Sequence, residues 1–178
     1  MLVDGVAYRI RFDGSVHTVP GTERTPLSFV TWFRSTRTLT VTRASSLAEV
    51  QAELARQLRA NRPYAIELRG RFARVRARAP EPATPPYPGL NAHLAAHPHE
   101  FPLASTEGVA VGFLLPAYLA RVNVPGLHLH YLAGDHRSGG HVLDLEIDGP
   151  VTVRAMELTG VDIELNGDPA FDRTDHER

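Results

Sequence analysis

The sequence predicts an α+β fold that is rich in β-hairpins and contains few helices. Three observations indicate this fold: polar and apolar residues alternate along many short segments, turn-forming residues separate these segments, and one segment has a clear helical period. The chain of 178 residues, 43% of them hydrophobic, is long enough to bury a core as one compact domain or as two small, closely packed lobes.

The N-terminal segment predicts a β-hairpin followed by two strands. Val6 to Arg11 and Ser15 to Val19 are strand-like, and Asp13-Gly14 between them is typical of a tight turn. Leu27 to Phe33 is aromatic and β-branched, so we expect a strand in the centre of a sheet. Thr38 to Thr42 alternates strictly, which predicts a half-buried strand.

The segment after Ser46 predicts the main helix. Ser46 and Glu49 have the spacing of a capping box, in which each side chain accepts a hydrogen bond from the other residue's backbone N–H, and Pro63 marks the end. A second, shorter helix is expected over Leu90 to His97, before Pro98. The main helix has apolar residues at intervals of three and four positions, which are Leu47, Val50, Leu54 and Leu58.

Several later segments predict further strands. Tyr64 to Arg69 and Arg71 to Arg78 both alternate, so they predict two consecutive strands or one long bent strand. Val109 to Leu115 is apolar enough for a buried strand. Asp148-Gly149-Pro150 predicts a turn that leads into another alternating strand, Val151 to Glu157.

A Pro-rich segment, residues 80–89, interrupts this pattern. Proline has no backbone N–H to donate, so such a segment is extended and does not join the interior of a sheet. It predicts a joint within a single domain of residues 1–178. An N-terminal lobe of residues 1–79, with a sheet and a helix, would precede the joint, and a lobe of residues 90–178 would follow it.

The composition argues against several classes of function. With 19 Lys plus Arg and 20 Asp plus Glu the formal charge is -1, so we expect no general attraction to nucleic acid or to an anionic membrane. There are no cysteines and therefore no disulfides. No apolar run reaches the roughly 20 residues that span a bilayer, and the N-terminus does not resemble a signal peptide. We expect a cytoplasmic protein with a small-molecule ligand.

Three histidines within Val124 to Ile147 predict a metal site. His128 and His130 are separated by one residue, so in a β-strand both project to the same face. The Gly-rich segment Ala133 to Gly140 predicts a chain reversal, after which His141 can lie beside that pair. Three imidazoles that leave a coordination position open are typical of catalytic Zn²⁺, and other divalent first-row metals also fit. The alternative is a His-rich surface hairpin without a metal.

A row of arginines lies before the Pro-rich segment. Arg74, Arg76 and Arg78 would share one face of a strand, a pattern that by itself suggests binding to nucleic acid. The balanced charge and the lack of an accompanying aromatic platform favour a solvated face instead. A third interpretation is that one arginine binds an anionic ligand in a pocket, for which its planar guanidinium is suited.

The histidine segment and several others resemble the alpha-acetolactate decarboxylase family. Val122 to Tyr131 and Gly139 to Asp144 are similar to the metal-binding signature of that family, and Asp4 to Tyr8 and Phe29 to Phe33 are similar to its N-terminal half. The likeness covers nearly the whole chain. It implies a two-lobe α/β architecture with mixed and antiparallel sheets, and a homodimer.

The resemblance also implies a site and a reaction. It places zinc ligands at His128, His130 and His141, and an active-site arginine at Arg78. The implied reaction is the zinc-dependent conversion of 2-acetolactate, a 2-hydroxy-3-keto acid, to acetoin and CO₂, as in acetoin and butanediol formation. We expect Arg78 to stabilise the enediolate that CO₂ loss leaves behind. A strong ion pair to the carboxylate would instead stabilise the ground state.

The resemblance also implies two active-site glutamates, which would transfer protons. One lies just upstream of the segment that matches Leu2 to Tyr8, where this sequence has only Met1; the other comes from a C-terminal tail, for which Glu177 is the candidate. Removal of such proton-transfer groups typically costs about 10²–10⁴ in rate. We therefore expect a decarboxylase with impaired activity or, as the alternative, a non-catalytic module of the same fold that binds a metal and a small acid.

Overall fold

A computed structural model gives the architecture of residues 1–25, 27–84 and 88–164. Within these ranges the chain forms two antiparallel sheets, two α-helices and one 3₁₀ turn, which confirms the predicted fold class. In chain order the elements are β1 (Leu2–Val3), β2 (Val6–Ile10), β3 (Val16–Thr18), β4 (Arg37–Ala44), α1 (Leu47–Gln57), β5 (Tyr64–Arg78), α2 (Leu90–Ala96), β6 (Glu100–Leu115), the 3₁₀ turn (Ala117–Leu119), β7 (Gly126–Ala133) and β8 (Gly139–Glu157).

The small sheet contains β1, β2 and β3 in that order. The predicted hairpin is confirmed, since Tyr8 lies opposite Thr18 and Ile10 opposite Val16. Gly14 has a φ of 81°, a backbone conformation that glycine adopts without strain, and its N–H donates to the Arg11 carbonyl at 2.8 Å. The sequence Asp-Gly therefore makes the turn that it predicts.

The large sheet has the order β4-β8-β5-β6-β7, and β7 also pairs with the start of β8. Strand β8 therefore pairs with both β5 and β7, so the strands β8, β5, β6 and β7 form a closed series. This arrangement holds the β7–β8 hairpin against the end of β5. Strand β5 comes from the predicted N-terminal lobe, whereas its neighbours β6 and β8 come from the predicted C-terminal lobe. The two predicted lobes share one sheet, and the domain boundaries themselves stay a prediction.

Helix α1 covers one face of the large sheet. Its apolar residues Val50 and Leu54 are fully buried, as the helical period predicts. The Ser46 hydroxyl accepts a hydrogen bond from the Glu49 N–H at 3.2 Å. The Glu49 carboxylate accepts from the N–H of Ser45 at 2.7 Å, one residue before the expected donor. The predicted short helix is also confirmed as α2. Among the described residues, no helix has the length and apolar character needed to cross a membrane.

The prediction of a central strand over Leu27 to Phe33 is wrong. These residues have no regular secondary structure, and Trp32 and Val30 are 98% and 64% exposed. The edge of the large sheet is formed by β4, which begins at Arg37. Aromatic and β-branched composition favours an extended backbone, but a strand also needs a pairing partner, and the composition does not supply one.

Two glycines bend long strands of the large sheet. Strand β5 is one continuous strand through Gly70, which has a φ of 154°, so the single bent strand is found rather than two strands. The predicted turn at Asp148-Gly149-Pro150 is wrong, because β8 continues through it with a shift of register against β4. Gly and Pro in a strand often mark such an irregularity, which local sequence does not distinguish from a turn.

Candidate metal centre

The β7–β8 hairpin places three histidines together. His128 and His130 lie on β7, and His130 is directly opposite His141 on β8. Leu129, between the first two, is fully buried in the core, so the imidazoles project to the other face of the strand. The predicted alternation and the predicted chain reversal are both confirmed.

Helix α1 fixes both strands of this hairpin. The Gln51 side-chain carbonyl accepts a hydrogen bond from the Leu127 N–H at 2.7 Å, beside His128. The Asp144 carboxylate on β8 accepts one from the Leu47 N–H at the start of the helix, at 2.8 Å. These side-chain bonds position the two strands that carry the imidazoles, as a preorganised site requires.

The imidazoles are close enough to share one ion. One ring nitrogen from each of His128, His130 and His141 lies within 4.8 Å of the corresponding nitrogen of the others. The ring centroids are 5.5 Å apart for His128 and His130, 4.7 Å for His128 and His141, and 5.2 Å for His130 and His141. No Asp or Glu of the described ranges belongs to this group.

Burial keeps these histidines in the neutral form that binds metals. It lowers the pKa of His130 to about 3, with further contributions from His141 and His128. It lowers the pKa of His141 to about 4, aided by His128 and Arg78. The pKa of His128 is lowered by burial and then by Arg78. All three imidazoles are therefore unprotonated at pH 7.

One nitrogen of this group fits a metal ligand particularly well. His128 Nδ1 is buried and has no hydrogen-bond partner among the described residues. Buried polar atoms are nearly always paired, because an unpaired one loses its hydration without compensation. An unpaired imidazole nitrogen beside two neutral imidazoles is therefore consistent with a site that holds a divalent cation.

Arg78 ends strand β5 next to the histidines. It lies opposite His141 on β8, and its positive charge lowers the pKa of His128 and His141. Within the described part of the chain its guanidinium has no hydrogen-bond or ion-pair partner. On the same strand, Arg74 pairs with Glu146 at 3.0 Å and Arg76 with Glu100 at 2.8 Å. Arg78 thus differs from its neighbours in being available to an anion.

The second predicted catalytic residue, Glu177, lies outside the described residues. A second group of side chains that could hold a metal ion was not predicted from the sequence, and it consists of Glu81, His97 and His99. The sequence carries one signal for this group, because a single residue separates His97 from His99. Glu81 lies in the Pro-rich segment, and its approach to the histidines could not be inferred from spacing.

Comparison with known proteins identifies the family. A family model described as alpha-acetolactate decarboxylase matches residues 1–178. The chain belongs to the alpha-acetolactate decarboxylase family. The alpha-acetolactate decarboxylase of Methanosarcina mazei is 33% identical over 170 residues, which are 94% of this chain and 59% of that protein. The Brevibacillus brevis protein of the same name is 31% identical over 169 residues, with the same shares. The chain spans 59% of the length of both relatives.

Solved structures agree with this membership. The crystal structure of alpha-acetolactate decarboxylase from Bacillus subtilis superimposes with a TM-score of 0.90 at 29% identity, and the match covers 98% of this chain and 74% of that one. A Staphylococcus aureus protein, described as of unknown function and similar to alpha-acetolactate decarboxylase, gives a TM-score of 0.82 at 28% identity, over 88% of this chain and 66% of that one. The predicted resemblance is confirmed.

Proposed function

We propose that this chain is a decarboxylase that converts 2-acetolactate, or a closely related 2-hydroxy-3-keto acid, to acetoin and CO₂. The observation that supports the proposal is the group of three neutral imidazoles beside Arg78, to which the described part of the chain offers no hydrogen-bond or ion-pair partner, in a member of this family. The keto oxygen of such an acid can bind a Lewis acid. The negative charge that develops as CO₂ departs can accept hydrogen bonds from a guanidinium. The homodimer and the cytoplasmic location stay predictions.

His128, His130 and His141 would hold the ion, and we propose zinc as the metal. When bound, the ion would act as a Lewis acid on the keto oxygen that receives electrons as CO₂ departs. The imidazoles themselves contribute neutral donor nitrogens, because burial depresses their pKa values. Their position on paired strands limits how far each ring can move, so the donors are preorganised.

Arg78 would stabilise the charge that forms during the reaction. When the bond to the carboxylate carbon breaks, its electron pair moves toward the keto group and leaves a negatively charged enediolate. A guanidinium without an internal carboxylate partner can donate hydrogen bonds to that charge. Strand β5 pairs with β6 and β8 on its two sides, so the backbone of Arg78 is held rigidly. Protonation of the enediolate carbon completes acetoin, and Glu177 stays the proposed proton donor.

Acetoin formation from racemic 2-acetolactate tests this proposal on the full chain loaded with Zn²⁺. We expect acetoin above the buffer rate from the wild-type protein and background from the His130→Ala variant. Arg76→Gln is the control variant and should keep the wild-type rate, because Arg76 on β5 already pairs with Glu100. Stoichiometric binding of Zn²⁺ and of a small keto acid without acetoin would reject the decarboxylase and support the non-catalytic module.

A further inference from the structure

A second group of candidate ligands lies on the connection between β5 and β6. Glu81 follows β5, whereas His97 and His99 lie between α2 and β6. The Glu81 carboxylate contacts both rings: one oxygen is 3.1 Å from His97 Nδ1 and the other is 2.7 Å from His99 Nε2. One atom from each of the three side chains lies within 4.8 Å of the others.

Neighbouring groups hold these three side chains in place. His93 Nε2 is 2.8 Å from the backbone carbonyl of Glu81, so this buried ring positions the carboxylate residue and is not free to act as a ligand through that nitrogen. The His93 ring also lies 4.8 Å from the His97 ring. Phe12 packs on His99 with a centroid distance of 5.2 Å. Such supporting contacts are typical of metal ligands, whose orientation they fix.

We propose that Glu81, His97 and His99 form a second metal site, which binds a divalent first-row cation such as Zn²⁺ and has a structural role. Two imidazoles and one carboxylate are a ligand set for Zn²⁺, Co²⁺ or Ni²⁺. Ca²⁺ and Mg²⁺ prefer oxygen ligands throughout, so these ions are not expected here. The remaining coordination positions would be filled by water, since all three side chains are half-buried.

The sheet keeps this site separate from the three-histidine centre. His99 precedes Glu100, Glu100 lies opposite Arg78, and Arg78 lies opposite His141. Neighbouring strands are roughly 4.8 Å apart, so Glu100 and His141 are on the order of 10 Å apart across two strand spacings. Two ions that share a substrate are only about 3.5–4 Å apart. The two sites therefore would not form a binuclear centre.

The expected role of the ion follows from where its ligands lie in the chain. Glu81 is at the beginning of the Pro-rich segment, and His97 and His99 follow α2, so a shared ion would close the loop between β5 and β6. Closing a loop removes conformational freedom from the unfolded chain, and binding free energy at such a site adds to folding free energy. The ion would also secure the backbone near Arg78, three residues before Glu81 in the sequence.

Metal stoichiometry tests the proposal without any measurement of activity. The full chain is equilibrated with micromolar free Zn²⁺, and bound metal is counted by elemental analysis after desalting. We expect two equivalents in the wild type, one in a Glu81→Gln, His99→Ala double variant, and one in His130→Ala. His17→Ala removes an exposed histidine outside both groups and should retain two. The same number of equivalents in the wild type and in the Glu81→Gln, His99→Ala variant would overturn the proposal.

Thermal melting provides a second test that also detects misfolded variants. In the His130→Ala background, Zn²⁺ should raise Tm, and the addition of Glu81→Gln and His99→Ala should remove that shift. If His130→Ala does not fold, the Zn²⁺-induced shift of the wild type is compared with that of the Glu81→Gln, His99→Ala variant. Equal shifts with and without the second group would contradict the proposal. A chain that makes no acetoin but shows two equivalents of metal would separate the failure of the proposed activity from this inference.

Discussion

The two histidine groups of this protein share a His-x-His sequence but differ in their surroundings. On the β7–β8 hairpin, His128 and His130 lie in a strand and are half-buried, and nearby Arg78 has no hydrogen-bond or ion-pair partner among the described residues. On the β5–β6 connection, His97 and His99 flank a proline outside any helix or strand and contact a carboxylate. The first group has neutral donor nitrogens beside a positive charge, whereas in the second group a carboxylate contacts both rings.

The spacing of histidines alone does not determine the chemistry of a candidate metal site, since the neighbouring charged groups differ between these two. A strand at a sheet face gives aligned imidazoles together with a charged neighbour from the next strand, an arrangement suited to a reaction that develops negative charge. A loop that returns on a carboxylate gives an arrangement suited to linking two parts of the chain. Variants in the first group should therefore lower the rate of acetoin formation, and variants in the second group should lower stability.

The largest expected effect is that of His130→Ala. His130 is one of the three candidate ligands and lies directly opposite His141 in the pairing of β7 with β8, so its loss should abolish ion binding at the hairpin. Lewis-acid stabilisation of several kcal/mol corresponds to a fall in acetoin formation of about 10³-fold or more. The rate of acetoin formation at saturating 2-acetolactate measures it. A fall of less than tenfold would mean that the hairpin site is not required.

Arg78→Gln should have the next largest effect. The variant keeps a hydrogen-bond donor but loses the positive charge, so kcat should fall by about 10²–10³, as for the loss of one donor to a developing oxyanion. KM should change little if the arginine acts after binding. The measurement is a kcat and KM determination beside Arg76→Gln, whose arginine already has an ion-pair partner. A large rise in KM with constant kcat would instead indicate that Arg78 binds the substrate carboxylate.

The buried histidines should make the metal-free chain sensitive to acid. The folded pKa values of His130 and His141 are about 3 and about 4, below the 6.5 of an exposed histidine, so the unfolded chain binds protons first as the pH falls. The free energy of unfolding should therefore decrease by about 1 kcal/mol per histidine between pH 6.5 and 5.5. Urea unfolding at both pH values measures this change, and His130→Ala should lose the contribution of one histidine. Equal pH dependence in the two proteins would mean that His130 is not buried as described.

Much of the hairpin site could be predicted from the sequence, because its determinants are local. Alternation of Leu129 with the flanking histidines fixes which face each side chain takes, and the Gly-rich segment after Ala133 supplies the reversal. The prediction that Arg78 belongs to the site came from the family resemblance, since its position opposite His141 depends on the pairing of β5 with β8, which is distant in sequence.

What could not be predicted depends on partners far along the chain. Trp32 and its neighbours have the composition of a buried strand, yet no strand pairs with them among the described residues. Gly149 has the local signature of a turn, but pairing of β8 with β4 and β5 keeps the strand continuous. Glu81 meets His97 only because α2 returns the chain to the end of β5. In each case tertiary pairing overrides the local pattern.

The smallest expected effect on activity is that of the Glu81→Gln, His99→Ala double variant. Among the described residues no hydrogen bond, ion pair or ring contact joins Glu81 or His99 to the histidine hairpin or to Arg78. Acetoin formation at 25 °C should therefore stay within about twofold of the wild type, the size expected when no transition-state contact is lost. The same assay measured after heating should reveal the difference, because the second ion would act on stability. A loss in rate as large as that of Arg78→Gln would contradict the separation of the two groups.

Removal and return of the metal test most directly whether the three imidazoles bind the ion that supports decarboxylation. The full chain is stripped with a chelator, assayed for acetoin, and assayed again after stepwise addition of Zn²⁺, with the Glu81→Gln, His99→Ala variant carried through the same steps so that only the hairpin site can respond. We predict that activity disappears on stripping and returns in full at one equivalent of Zn²⁺ in that variant. Acetoin formation that is unchanged by the chelator, or that returns equally in His130→Ala, would contradict the account.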